Sequence, residues 1–200
     1  MHLSCNYRSN LSLNPLSTFE KKGKNMIHVN PDQSATIPYI PWKELESLEE
    51  WWDPDTFPWG AAGALIKHYP DYFDVWWWNP DRFLWHPQHT RLLIRHLGHK
   101  LTAWWEPDRF PWKSCTGCLI RNLNSKFSVW WEPALFPWGG VWDGQTAAEL
   151  LATYCPDHLL QWYDAGRLVW TEGLCRILIQ RCKAYQAIWA QDALLFRLQR

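Results

Sequence analysis

The residues most able to do chemistry in this chain are two thiols two positions apart, in "CTGC" from Cys115 to Cys118. A pair at this spacing can chelate zinc, because both thiolates reach one tetrahedral ion. Alignment on the internal repeat described below puts His89 near Cys115, with His86 close by, so a set of His86, His89, Cys115 and Cys118 is conceivable. Against zinc, Cys118 falls at the position that Leu65 and Leu92 hold in other copies, as a small buried apolar residue does. Packing is the preferred reading of Cys118 over a metal site of Cys115, Cys118 and His89, and no metal or other cofactor is expected. A thioredoxin-like use of the pair would need a βαβ setting, which the pattern lacks. The histidines at 86, 89, 96 and 99 alternate with basic residues, and no nucleophile has an assignable place beside them, so they read as solvated surface. Phosphate loops, paired catalytic carboxylates and HExxH are absent from the sequence. No catalytic residue is assigned, and the chain is read as non-enzymatic.

What positions these side chains is a repeat. "WWEPDRFPW" at Trp104 to Trp112 returns as "WWEPALFPW" at Trp130 to Trp138. Trp pairs fall at 51/52, 77/78, 104/105 and 130/131, with Pro at 54, 80, 107 and 133, Phe at 57, 83, 110 and 136, and a closing Trp at 59, 85, 112 and 138; the period is 26, 27, 26. "WYDAGRLVW" (Trp162 to Trp170) is a further copy after an insertion of six residues or so around "VWDGQT". "WAQDALLFR" (Trp189 to Arg197) is a worn last copy, and "IPW" (Ile40 to Trp42) with the segment after it a shortened first one.

Each copy divides in two. In "DPDTF" an Asp can cap and Pro54 suits a first helical position, while Pro58 stops the chain, which predicts about one helical turn. The longer piece carries an apolar stripe. Leu65, Leu92, Cys118, Leu150 and Ile177 align at one position, and Ile66, Leu93, Leu119, Leu151 and Leu178 at the next. Four residues on come Pro70, Leu97, Leu123, Cys155 and Cys182, spacing that marks one face of an amphipathic helix. "TAAE" (Thr146 to Glu149) is a capping-box start.

One short helix per copy has no means of burying its own stripe, whereas stacked neighbours do. The expected fold is all-α: a short α-solenoid of about five repeats, seamed by Trp51, Trp59, Trp77, Trp85, Trp104, Trp112, Trp130 and Trp138 as structural core. The expected organisation is a mobile N-terminal arm at 1–37, rich in Asn, Ser and Lys, and a Trp-rich domain at 38–200 with degenerate capping copies at its ends. The pattern WWxPxxFxW followed by an amphipathic helix resembles Trp-rich tandem α-repeats of uncharacterised bacterial and phage-related proteins, over roughly Ile40 to Arg197. Pro58, Pro111 and Pro137 stand where that pattern has Asn, and Leu84 and Val169 depart from both. The resemblance implies architecture and carries no activity.

Stacking also aligns polar positions. His68, Arg95, Arg121, Thr153 and Gln180 form one row, with Tyr69, His96, Asn122, Tyr154 and Arg181 beside it. A second row, Asp53, Asn79, Glu106, Glu132 and Asp164, is read as capping. Formal charge sums to zero, which argues against bulk binding to nucleic acid or anionic membrane. Its distribution is uneven. Pro41 to Asp81 holds two Lys/Arg and nine Asp/Glu, whereas His86 to Lys126 holds seven Lys/Arg against Glu106 and Asp108. Six cysteines without a framework, and no apolar run near the roughly 18 residues of a membrane span, suggest a cytoplasmic protein with reduced thiols. The function expected is a protein–protein interaction scaffold, a bacterial or phage inhibitor, immunity or assembly factor, binding its partner through His68, Arg95, His96, Arg121 and Asn122. The alternatives are a binder that stacks carbohydrate or single-stranded nucleic acid on exposed Trp, and a zinc protein centred on the CxxC.

Overall fold

The computed structural model describes residues 52–198. Trp51, the proposed arm and the shortened first copy lie outside them. The chain divides into two units between Phe57 and Pro58. Of the first, residues 52–57 are described: the Asp53 carboxylate accepts from the Asp55 N–H, and the Phe57 N–H donates to the Asp53 carbonyl, closing one turn.

The second unit is built from helices α1 (Ala62–His68), α2 (Pro87–His96), α3 (Leu101–Trp104), α4 (Trp112–Leu123), α5 (Phe127–Trp130), α6 (Ala147–Tyr154), α7 (Leu159–Trp162), α8 (Glu172–Arg181) and α9 (Gln186–Leu198). A two-stranded antiparallel hairpin, β1 (Val141–Trp142) and β2 (Gln145–Thr146), is the one sheet among the described residues. The fold class is all-α. Helix α1 packs on α2, α2 on α4, α4 on α6, α6 on α8 and α8 on α9. Starts follow local chemistry. Pro87 occupies the first turn of α2, Thr146 and Glu149 form the expected capping box on α6, and the Thr171 hydroxyl accepts from Leu174 N–H on α8.

Helices α1, α2, α4, α6 and α8 each end against a buried indole. The N–H groups of Trp77, Trp104, Trp130, Trp162 and Trp189 donate to the carbonyls of Tyr69, Leu97, Leu123, Cys155 and Cys182, at 2.7 to 3.0 Å. The bond satisfies two obligations together: a buried indole needs an acceptor, and the last carbonyls of a helix have no partner within it.

Register differs from the sequence alignment at the copy that holds α1 and Trp77. There the Trp stands eight residues beyond the carbonyl it meets, not seven, because an extra residue is absorbed in a π-helical turn, Phe73–Trp77. Trp78 N–H reaches back five residues to Phe73, where Trp105, Trp131 and Tyr163 reach back four. Leu65 therefore matches Leu93, Leu119, Leu151 and Leu178, and His68 matches His96 and Asn122, not Arg95; Lys67 is the partner of Arg95 in the row. The surplus residue falls among Asp74, Val75 and Trp76, all exposed.

The motif itself forms a turn instead of a helix. Phe83, Phe110, Phe136 and Leu168 donate to the carbonyl four residues back, once each, and the following residues turn away. Capping holds at Asn79 and Asp164, whose side chains accept from the backbone two residues on. The second and closing indoles meet edge to face: Trp78 and Trp85 at 6.0 Å, Trp105 and Trp112 at 5.7 Å, Trp131 and Trp138 at 5.7 Å, with Phe83, Phe110 and Phe136 as third members. Of the expected core indoles, Trp77, Trp104 and Trp130 are buried, whereas Trp59, Trp85, Trp112 and Trp138 are half-buried. Trp112 and Trp138 turn their N–H groups to the carbonyls of Pro107 and Pro133 in their own turns, which holds the rings at the rim. The fully buried partners of the first indoles are Phe73, Leu101, Phe127 and Leu159.

Loops from successive copies are also tied to each other. Arg109 donates to the Pro80 carbonyl and pairs with Asp81 at 2.7 Å, and Arg167 donates to the Pro133 carbonyl at 3.3 Å. Lys126 reaches the His99 carbonyl, Tyr185 the Asp157 carbonyl, and His158 stacks on Phe127 with centroids 4.6 Å apart.

Candidate functional site

The CxxC does not form one site. On α4 the Cys115 thiol is buried and points at the Pro87 carbonyl, 3.5 Å away, and Thr116 is buried with its hydroxyl on the Trp112 carbonyl. Gly117 lies under the Trp142 ring, where a Cβ would come within 2.7 Å of the indole. Cys118, one turn on, is half-buried and lines the helix surface, accepting from the Asn122 amide at 3.5 Å. His89 is elsewhere again, its Nδ1 3.4 Å from the Leu84 carbonyl and its ring beside Gly63. Burial, and then the neighbouring His86, hold its pKa below the ordinary value. Among the described residues no three His, Cys, Asp or Glu side chains are placed to hold a metal ion.

What does converge is a set of guanidiniums. Arg91 and Arg95 lie one turn apart on α2, Ser114, Cys118, Arg121 and Asn122 share a face of α4, and Val141 to Asp143 close the third side. They line an open cleft of about 560 Å³. Arg91 donates to the Ser114 carbonyl at 3.0 Å. Arg121 pairs with the Asp143 carboxylate and leans on the Trp142 carbonyl and Gln145 side chain, both at 3.4 Å. Arg95 lies close enough to Cys118 to favour its thiolate. Among the described residues, no carboxylate lies within ion-pair distance of Arg91 or Arg95.

The hairpin that completes the cleft is the insertion seen in the sequence. Asp143 and Gly144 both have positive φ, 52° and 78°, the two-residue turn that Asp-Gly favours. Trp142 is pinned by its N–H on the Lys113 carbonyl and by Gly117 and Gly140, where side chains would overlap it. The cleft wall is thus rigid where it meets α4.

Chemically the cleft can hold an anion, since each guanidinium presents a planar fork of donors. It is poorly suited to nucleophilic catalysis. Burial pushes the Cys118 thiol above its usual pKa despite Arg95, Arg91 and Arg121, and none of the described histidines lines the cleft. The other described thiols are less available: burial pushes Cys115 and Cys182 up to about 11 and Cys155 up to about 12, and Cys175 is buried. Iodoacetamide on the native protein at about pH 8 is expected to modify Cys118 ahead of these four, because reaction needs an accessible thiolate. Peptide mapping checks the order, and early modification of Cys155 would contradict it.

Of the residues expected to bind a partner, Arg95, Arg121 and Asn122 meet in this cleft, while His68 and His96 are exposed outside its lining. Arg91, Ser114, Trp142 and Asp143 were not anticipated. Arg91 was legible by its four-residue spacing from Arg95, and "WDG" between strand-forming residues signals a hairpin. No family model matches the chain, and no curated protein or solved structure matches it. No described helix is long and apolar enough to cross a membrane.

Proposed function

We propose that the chain is a short α-solenoid that acts without catalysis, docking a protein partner on the polar face around Arg95, Arg121 and Asn122, with His96 and His68 farther along it. The observation that carries this reading is an open cleft of guanidiniums, two of which have no carboxylate within ion-pair distance among the described residues, on helices whose other faces are buried. Buried indoles at the helix ends and arginine ties between loops make such a surface stiff, so little order is lost on binding. A bacterial or phage factor that inhibits or adapts a larger cytoplasmic protein is the concrete form of the proposal. Stacking of sugars or bases is less well supported, because the motif indoles spend their rings on one another and on phenylalanine.

The test is affinity capture from the source cell with wild type beside an Arg95→Glu/Arg121→Glu double variant. A partner held by wild type and lost from the variant is expected. Equal recovery by both would remove this face from the proposal.

A further inference from the structure

We infer that the cleft between α2, α4 and the hairpin is a carboxylate-binding site for an acidic segment of a protein partner, and that Asp143 occupies part of it as an internal competitor. This rests on the scaffold reading above and specifies the chemistry recognised.

The cleft already displays its preference. A carboxylate, that of Asp143, sits on Arg121. The pair is a weak one in energy, since the Asp143 side chain is 78% exposed and the arginine is partly solvated. An incoming carboxylate can displace it at small cost. Arg91 and Arg95 then supply two more forks one helical turn apart, a spacing that suits successive acidic side chains of a bound segment. Arg91 has donors beyond the one it gives to Ser114, its one hydrogen-bond partner among the described residues, because a guanidinium carries five N–H groups.

Charge decides the class of anion. Among the described residues three guanidiniums face one carboxylate, so the cleft is cationic, yet the chain as a whole carries no net charge and Val141 stands exposed at the cleft edge. A nucleic-acid backbone needs a longer cationic track. A segment offering a few Asp or Glu among apolar residues fits the mixture. The Asp-Gly turn, which holds Asp143 at φ 52°, keeps the competitor in place.

Isothermal titration of the full-length protein at low salt with a synthetic polyglutamate peptide tests this, with polyglutamine and inorganic phosphate as the other arms. Saturable binding of polyglutamate alone is expected. Arg91→Ala/Arg95→Ala should weaken it about tenfold, as the loss of charge-assisted hydrogen bonds does. Asp143→Asn should strengthen it about threefold by freeing Arg121, a gain that misfolding does not produce. An unchanged or weaker affinity in Asp143→Asn, or tighter binding of phosphate at the same arginines, would overturn the assignment. If the assignment fails while the Arg95→Glu/Arg121→Glu variant still loses its cellular partner, the scaffold reading stands and only the ligand chemistry is wrong.

Discussion

Trp130→Ala is expected to lower the unfolding free energy by about 3–5 kcal/mol, the range for removing a fully buried large aromatic side chain. The ring is inaccessible to solvent, meets Phe127 edge-on at 4.9 Å and Trp131 at 6.1 Å, and closes the end of α4 through its N–H on the Leu123 carbonyl at 2.7 Å. Alanine removes the volume and orphans the carbonyl together. Trp130→Phe separates the two effects: most of the volume stays, the acceptor goes unpaired, and the expected cost is about 1–3 kcal/mol. Trp138→Ala, at a half-buried ring on the rim, should cost less than Trp130→Ala, and Trp76→Ala should fall within about 0.5 kcal/mol of wild type. Urea unfolding of the four variants gives the order. If Trp138 proves dearer than Trp130, the rim aromatics and not the first indoles hold the helices together.

The distinction between these indoles marks where sequence reasoning stops. Periodicity placed Trp77, Trp104 and Trp130 in the core, because a side chain seven residues past the end of an amphipathic stripe returns to the same face. It gave the closing Trp the same standing, and nothing in the spacing of Trp85 or Trp112 says that their turns aim them at the rim. The buried Phe73, Leu101, Phe127 and Leu159 stand as an apolar position three or four residues before each first Trp, a weaker signal than the aromatic pair itself.

Register failed for a local reason. The α1 copy runs into "WWW" at 76 to 78, and which two make the pair depends on the chain accommodating one surplus residue as a π-helical turn, an outcome of packing and not of propensity. The error moved His68 by one place and hid Lys67.

The cleft was partly legible. Arg95 and Arg121 came from aligned positions, since neighbouring helices bring equivalent faces side by side. The wall built by the insertion did not, because an insertion has no counterpart in the other copies to compare with. Once Trp142 is seen over Gly117, the glycine inside a helical CTGC has its reason: a residue that costs helix stability is tolerated where another side chain must come close.

A second large effect is expected at Glu149, which sits buried between two helix starts. Its carboxylate accepts from the Thr146 N–H at 2.8 Å and from the Thr171 hydroxyl at 2.6 Å, while its own N–H donates to the Thr146 hydroxyl at 3.2 Å. Thr171 in turn caps α8 through Leu174. One side chain therefore ties the first turn of α6 to that of α8, near two positive helix ends where a negative charge is favoured. Gly173 leaves the room, for a Cβ there would overlap the Glu149 carboxylate. Glu149→Ala strands a backbone N–H and a hydroxyl in a buried site, and a loss of about 2–4 kcal/mol is expected from charge-assisted bonds of this kind. Thr171→Ala should cost about 1–2 kcal/mol, the ordinary value of a lost cap. Because the two groups share a hydrogen bond, the double variant should cost less than the sum of the singles by about 1 kcal/mol or more. Additive costs in urea unfolding would mean that each threonine caps its own helix independently, and that α6 and α8 are held by Leu150, Leu151 and Leu178 packing alone.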